Sequence, residues 1–428
     1  MRLLMLNNEF PPLGGGTGTV NRALLQRFAR MPGLAIDLVT SALGATAEQE
    51  QFAEHIRIFK VPVQNRNLHH SSNRELLTYA ARALPLAITL HSARRYHFCF
   101  AWSAVPAGGV ALALRHLTGL RYLVRVCGPD IPGFEQRYAM LYPILTPVIR
   151  AIWHGSETVV AKCASEAAMI RAVEQQHAPR SPHRSRLSGQ QSVQQNGRQN
   201  GQRMPVPELP AVRSITLIPN GVDLAAFPPA TPIPDDGPLR LLCVARLIER
   251  KGQHHLIEAV KRLTDEGIEV VLELVGTGDA QASNQAQAER LGIGERVIFA
   301  GYVPREQIAR HYAAAHVFVL PSYNEGMSVA TLEAMAAGLP VVVTRTGGTD
   351  ELVAEGVNGF TFAWADVARL TAHLRRLATD RAITRGMGAA SRERAARFSW
   401  DVAAQHYLAM FEQMRALVCH QQGNQIHR

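Results

Sequence analysis

No Cys-x-x-Cys pair occurs in this chain. Its five cysteines, Cys99, Cys127, Cys163, Cys243 and Cys419, are scattered and odd in number. That spacing excludes a disulfide framework and a cysteine zinc site, and points to reduced thiols in a cytosol-like compartment. Long apolar runs are also missing. The run Leu3 to Leu6 is too short for a signal peptide. Residues 98 to 114 carry no charge, but Pro106, Gly108 and Gly109 interrupt them. They also fall short of the ~20 residues a spanning helix needs, so they read as a buried strand followed by a buried helix. Acids are in deficit: 35 Asp and Glu stand against 45 Lys and Arg, a formal net charge of +10. The excess favours anionic partners, either phosphorylated substrates or an anionic membrane face. Aromatic residues make up only 6%, and no basic stretch is interleaved with them, which sets nucleic acid aside.

What is present is a rhythm. Length alone, 428 residues, favours two domains. Strand patterns at Arg2 to Asn7, Ala35 to Thr40, Ile56 to Val61, Phe98 to Trp102, Tyr122 to Val126 and Thr158 to Ala161 alternate with helical patterns at Val20 to Ala29 and 76 to 95. The alternation resumes at Leu239 to Val244 and runs to Pro340 to Val343. Strand and helix in turn, twice over, predict two parallel-sheet α/β domains. Between the two runs lies the segment 178–213, with six arginines, one acid and no aromatic. Its composition predicts a disordered basic insertion. A proline-rich stretch, Pro228 to Pro238, reads as a linker, and its Asp235-Asp236 as solvated acids rather than metal ligands.

Four clusters stand at the ends of predicted strands, where open α/β sheets bind ligands. The first is Phe10-Pro-Pro-Leu-Gly-Gly15-Gly16-Thr-Gly18, before a helix. Glycines there let backbone amides approach a phosphate or sugar. The spacing is not the dinucleotide fingerprint, since Thr19 stands where its third glycine should be. The second is Ala245-Arg246-Leu-Ile-Glu-Arg250-Lys251-Gly252. Arg246 offers a bidentate fork for phosphate and Lys251 a point charge. The third, Ser322 to Met327, opens a helix N-capped by Ser328 and stopped by Gly338 and Pro340. It carries Glu325 in the loop and Glu333 in the helix, about 7 to 8 Å along the axis. The fourth, Thr346-Gly347-Gly348-Thr349-Asp350-Glu351, reads equally as a plain turn or a ligand contact.

In this order, with CGPDIPGF, LIPNGVDLAAF, LVGTGD, FAGYVP and GGTDELVAEGVNGF, the clusters resemble the retaining glycosyltransferases of family 4, which have the GT-B fold. The resemblance implies two Rossmann-like domains facing a central cleft: residues 1–218 for the acceptor, 219–400 for a UDP- or GDP-sugar, and a helix in 401–428 crossing back to the first domain. It assigns Arg246 and Lys251 to the diphosphate, Glu333 to the ribose and Glu325 to the donor sugar. Gly326, Met327, Ser328 and Val329 would bind sugar and phosphate, Tyr302 and Val303 the base, and Gly15 and Gly16 would close over the donor. The sequence has no Asp-x-Asp at a strand end, so no metal cofactor is expected, the cations standing in for a divalent ion. Many relatives carry a histidine facing the sugar. The matching places here are Trp102 and Cys127, with Asp130 left as a contact for acceptor or donor sugar. His91, His97 and His116 read as structural or surface residues. The reading is a cytoplasmic transferase acting on a glycan or lipid-linked acceptor, touching an anionic membrane through Leu76 to Arg95. A nucleotide-sugar-binding protein acting as an epimerase or hydrolase, or without turnover, is the alternative.

Overall fold

The computed structural model describes residues 1–67, 71–176, 212, 214–230, 234 and 236–426. The basic insertion read at 178–213, apart from residue 212, and Asp235 of the linker lie outside the described residues.

The first half runs β1 (Arg2–Leu6), α1 (Gly16–Phe28), β2 (Ala35–Ala42), β3 (Glu48–Ala53), β4 (Ile56–Pro62), α2 (Asn73–Arg94), β5 (Phe98–Trp102), α3 (Gly109–Thr118), β6 (Tyr122–Arg125), α4 (Tyr142–Gly155), β7 (Val159–Ala161), α5 (Ala164–Gln176) and β8 (Ile215–Leu217). The second runs β9 (Leu239–Val244), α6 (Gln253–Asp265), β10 (Val270–Val275), α7 (Gln281–Arg290), β11 (Val297–Gly301), α8 (Arg305–Ala314), β12 (Val317–Leu320), α9 (Val329–Ala336), β13 (Val341–Thr344), α10 (Thr349–Leu352), β14 (Gly359–Phe362), α11 (Val367–Thr379), α12 (Arg381–Ala395) and α13 (Trp400–Ile426).

Two sheets result, ordered β3-β4-β2-β1-β5-β6-β7-β8 and β11-β10-β9-β12-β13-β14. Every pairing between these strands is parallel except β3 with β4. Strands covered on both faces are buried throughout, as β12 and β13 are. Along β1, Leu3 and Met5 enter one core while Leu4 and Leu6 enter the other, the period-two alternation of a strand between two helix layers. The antiparallel β3 is an exposed edge strand of sequence EQEQFA, with no apolar pattern to announce it.

Strand order reverses between β1 and β5 in the first sheet and between β9 and β12 in the second. These are the switch points at which such sheets take ligands, outside the carboxyl ends of the strands. Helix α13 buries Trp400, Tyr407, Phe411 and Met414 in a core on the first sheet. The Phe411 ring lies 5.5 Å from Phe100 and 5.8 Å from Phe28, so the end of the chain is packed onto the first domain by aromatic contacts.

Candidate functional site

Both switch points open into one cleft of about 680 Å3, lined from each domain. On the second domain, the loop after β9 brings Arg246 to the cleft, and the turn Glu249–Lys251 brings Arg250 and Lys251. The loop after β12 brings Asn324 to Ser328, and Ser328 caps α9 by accepting a hydrogen bond from the Thr331 amide at 3.2 Å. Lys251 and Glu325 form an ion pair across the two loops. Burial would push the Glu325 carboxyl up, but Lys251, the Ser322 hydroxyl and Arg250 together hold it below the usual glutamate range. It is therefore an anion at neutral pH.

The loop that carries Glu325 is held from behind. Gly347, with φ of +44°, lies against the Glu325 carbonyl so closely that no Cβ fits. The Gly348 amide donates to the Gly326 carbonyl at 2.5 Å, and the Thr344 hydroxyl to Ser322 at 2.5 Å. The glycine turn after β13, readable from sequence as a plain turn or a ligand contact, thus braces the Glu325 loop.

Glu333 sits apart from Glu325. It is buried, and Arg305 donates to one oxygen at 2.7 Å while the Tyr312 hydroxyl donates to the other at 3.0 Å. Burial first, and then Glu333, push the Tyr312 hydroxyl well above its ordinary range, so it remains a neutral donor. Arg305 opens α8, following Tyr302 and Val303 with Pro304 between. Glu333 is thereby tied to the helix that follows the turn expected to meet a base, while Glu325 lines the cleft. Arg305 and Tyr312 are partners that sequence reasoning missed.

On the first domain, Gly15 and Gly16 line the cleft with open space above their Cα atoms. Glu9 lines it too. Burial pushes its carboxyl up, against the Gly15 amide and the charge of Arg246 in the other domain. Asp130 lines the cleft, but its oxygens accept from the Ala104 amide at 2.6 Å and the Cys127 amide at 2.7 Å. It braces the loop after β6. Burial, and then Asp130, push the Cys127 thiol up to about 11, so the residue at the expected histidine place is neutral at physiological pH. Trp102, the other such place, is buried with the Arg125 guanidinium 4.6 Å over its ring. His91 stacks on Tyr96, His97 accepts from the Arg2 amide, and His116 is exposed; none lines the cleft.

Sequence reasoning also missed Lys162, Arg125 and Asn220, which line the cleft between the domains. Lys162 follows β7 and pairs with Glu166, whose Oε1 lies 2.5 Å from where a Cβ on Gly326 would be. The same strand-end rule that picked out Arg246 finds Lys162. Arg125 is 2% exposed and donates to the Tyr407 hydroxyl at 2.9 Å and to Asn220 Oδ1 at 2.7 Å. Asn220 Nδ2 in turn donates to the Met327 carbonyl at 2.8 Å. The relay joins α13, the first sheet, the interdomain segment and the loop before α9. A guanidinium only donates and a carbonyl only accepts, so the Asn220 amide has one workable orientation. Asn220→Ala leaves the buried Arg125 Nη2 without its Asn220 acceptor, and is expected to cost about 2 kcal/mol of stability. It also frees the Met327 loop, so Tm falls and the KM for the ligand of that loop rises. Asn220→Asp restores a partner for Arg125 but sets an oxygen against the Met327 carbonyl; it recovers Tm better than KM. A Tm and KM both unchanged in Asn220→Ala would contradict this role.

Further contacts fasten the domains around the cleft. Asn324 donates to the Phe134 carbonyl at 2.5 Å, Gln136 to the Tyr323 hydroxyl at 2.7 Å, and Arg250 lies 3.3 Å from Glu135.

Residues 229–394 match the family profile Glycosyl transferases group 1. Curated relatives include a glycogen synthase of Mycobacterium tuberculosis, 35% identical over 205 residues, which are 47% of this chain and 50% of that protein. Another is a GDP-mannose-dependent alpha-(1-6)-phosphatidylinositol monomannoside mannosyltransferase of Mycolicibacterium smegmatis, 34% identical over 194 residues, 41% of this chain and 50% of that one. The chain spans about half the length of the curated relatives it matches. Among solved structures, sucrose-phosphate synthase of Thermosynechococcus elongatus superposes with a TM-score of 0.78 at 23% identity, covering 97% of this chain and 100% of that one. Anabaena HepE in complex with UDP-glucose gives 0.69 at 18% identity, covering 96% and 100%. The chain therefore has the GT-B fold, and its second domain matches the Glycosyl transferases group 1 profile.

Proposed function

We propose that this protein is a retaining glycosyltransferase that moves a sugar from a UDP- or GDP-sugar to a glycan or lipid-linked acceptor without a metal ion. The observation that carries the reading is the Lys251–Glu325 pair, at the ends of β9 and β12, facing the cleft beside Arg246 and the N-terminus of α9. Leaving of a nucleoside diphosphate builds negative charge on its bridging oxygen. Arg246, Lys251 and the amides of Gly326 to Val329 stand where that charge develops, and preplaced charges of this kind need no reorganisation during the reaction. The anomeric carbon gains positive character as the bond breaks, and the Glu325 anion offsets it. Retention requires the acceptor oxygen to approach from the face the diphosphate leaves. Its proton passes to the departing phosphate oxygen, since Asp130 is engaged by two amides and the Cys127 thiol is neutral. In the donor, the ribose is assigned to Glu333 and the base to Tyr302 and Val303, with Gly15 and Gly16 closing over the sugar. Nucleotide-sugar donors and the unpaired thiols suit a cytoplasmic site of action. No helix among the described residues is long and apolar enough to cross a membrane.

A panel of UDP- and GDP-sugars, read by thermal shift and nucleotide release with and without acceptor glycans, tests the reading. The expected result is a shift with one donor, acceptor-dependent release, and full activity in EDTA. Loss in EDTA with recovery in Mn2+ contradicts the metal-free step. Release of free sugar at the same rate without acceptor makes the protein a hydrolase, and a shift without turnover makes it a binding protein.

A further inference from the structure

Helix α4 presents a face that the reaction does not explain. From Ala139 to Ile149 the chain carries no charged residue, and Met140, Leu141, Pro143, Ile144, Pro147 and Val148 are all exposed. Met140 is 90% exposed and Ile144 72%, a degree of exposure unusual for a contiguous set of large apolar side chains. The stripe from Met140 to Val148 is about 12 Å long, too short to span a bilayer and suited to lying in its surface.

Three observations name what covers it. The face is continuous with the cleft: Leu141 just before α4, Leu145 within it, and Leu76 and Leu77 of α2 line the cleft wall, and Leu77 is itself 72% exposed. These four leucines give a hydrocarbon tail apolar side chains to lie against. The cleft lining also carries polar groups. There Asn7 Nδ2 and Trp102 Nε1 are buried without a hydrogen-bond partner among the described residues, beside Arg125. Lastly, the other rim, α2, turns Arg74 and Arg82 outward, while its one acid, Glu75, is buried and spent on the Ser72 and Arg66 amides. That rim complements an anionic surface.

Resting on the transferase reading, we propose that the acceptor is lipid-linked, that its tail leaves the cleft between α2 and α4, and that the apolar face of α4 seats the enzyme on an anionic bilayer. The contact moves from the stretch Leu76 to Arg95 favoured by the sequence. On that helix Tyr79, Ala83 and Ala87 face inward and Arg94 is tied to Asp37 at 3.2 Å, leaving its N-terminal turns as the basic rim.

The experiment is flotation of the full chain with vesicles of equal parts phosphatidylglycerol and phosphatidylcholine, and with phosphatidylcholine alone. Wild type is expected to float with the first and poorly with the second. Ile144→Glu combined with Val148→Glu is expected to lower binding roughly tenfold or more, since two exposed apolar side chains no longer enter the lipid. Arg74→Glu with Arg82→Glu is expected to remove the preference for phosphatidylglycerol. Failure of wild type to float, or flotation of the α4 variant like wild type, overturns the proposal. So does a wild-type dimer in light scattering that the α4 variant breaks, because a second copy then covers the face. Donor thermal shift is measured on every sample. If it is retained while flotation fails, the lipid inference alone falls; if it is absent from wild type, the transferase reading falls with it.

Discussion

Lys251→Ala is expected to lower kcat for sugar transfer by about a hundred- to a thousandfold, the usual cost of removing one preplaced group from a developing oxyanion. Lys251 does two things at once. In the proposed reaction it would meet the leaving diphosphate, and it holds Glu325 ionised against the burial that would protonate it. Removing the ammonium therefore leaves a buried carboxylate with its main partner gone, and its affinity for protons rises. The variant's activity should fall off with acidification at a higher pH than that of wild type. Stability follows the same sign. The folded-state pKa of Glu325 is depressed, so the stabilisation from the pair is present above the ordinary glutamate value and is lost as pH falls through the depressed one. Tm against pH in wild type and in Lys251→Ala checks this, and the two curves are expected to converge at acid pH. A kcat within a few-fold of wild type would remove Lys251 from the chemistry.

Glu333→Ala is expected to raise the donor KM by about ten- to a hundredfold with kcat nearly unchanged, the pattern of an interaction made equally in ground and transition states. The structure adds a consequence that the ribose assignment alone does not carry. Tyr312 is buried and donates to Glu333, so the alanine leaves its hydroxyl with a weaker partner in the Ala330 carbonyl at 3.3 Å. A loss of about 1–3 kcal/mol of stability accompanies the KM effect. Tyr312→Phe with Glu333 intact separates the two, because it keeps the carboxylate and the Arg305 pair. It is expected to lower Tm with little change in KM. A larger effect of Glu333→Ala on kcat than on KM would place this carboxylate at the sugar instead.

The second domain was legible because its strands β12, β13 and β14 are buried on both faces and read as short apolar runs, such as Val317 to Leu320, closed by proline or glycine. Its cations and Glu325 stand at strand ends with turn residues around them. The first domain was less so. Edge strand β3 forms through pairing with β4, not through a pattern of its own. Helix α4 begins YPILTP, and Pro143 and Pro147 disguise a helix whose buried face is nonetheless Tyr142, Thr146, Ile149 and Trp153. The opening of α1 at Gly16, four residues before the apolar run at Val20, was hidden because glycine and threonine carry no helical signal there. The partners were hidden by distance along the chain. Lys251 and Glu325 are 74 residues apart, Arg305 and Glu333 are 28, and Arg125 reaches Tyr407 over 282. Local chemistry named the donor cluster but could not say which of its two glutamates faces the cleft. That depended on Arg305 and Tyr312 of α8, which hold the two Glu333 oxygens.

The central claim is that the cleft between the two switch points holds a nucleoside diphosphate against Lys251 without a metal. Titration calorimetry of the full chain with UDP and with GDP, in EDTA, tests it most directly. The account expects one of the two to bind one-to-one in wild type, and Lys251→Ala to weaken that binding by about tenfold, the loss of one charge-assisted contact. Binding of neither nucleotide, binding only after a divalent ion is added, or equal affinity in wild type and Lys251→Ala would contradict it.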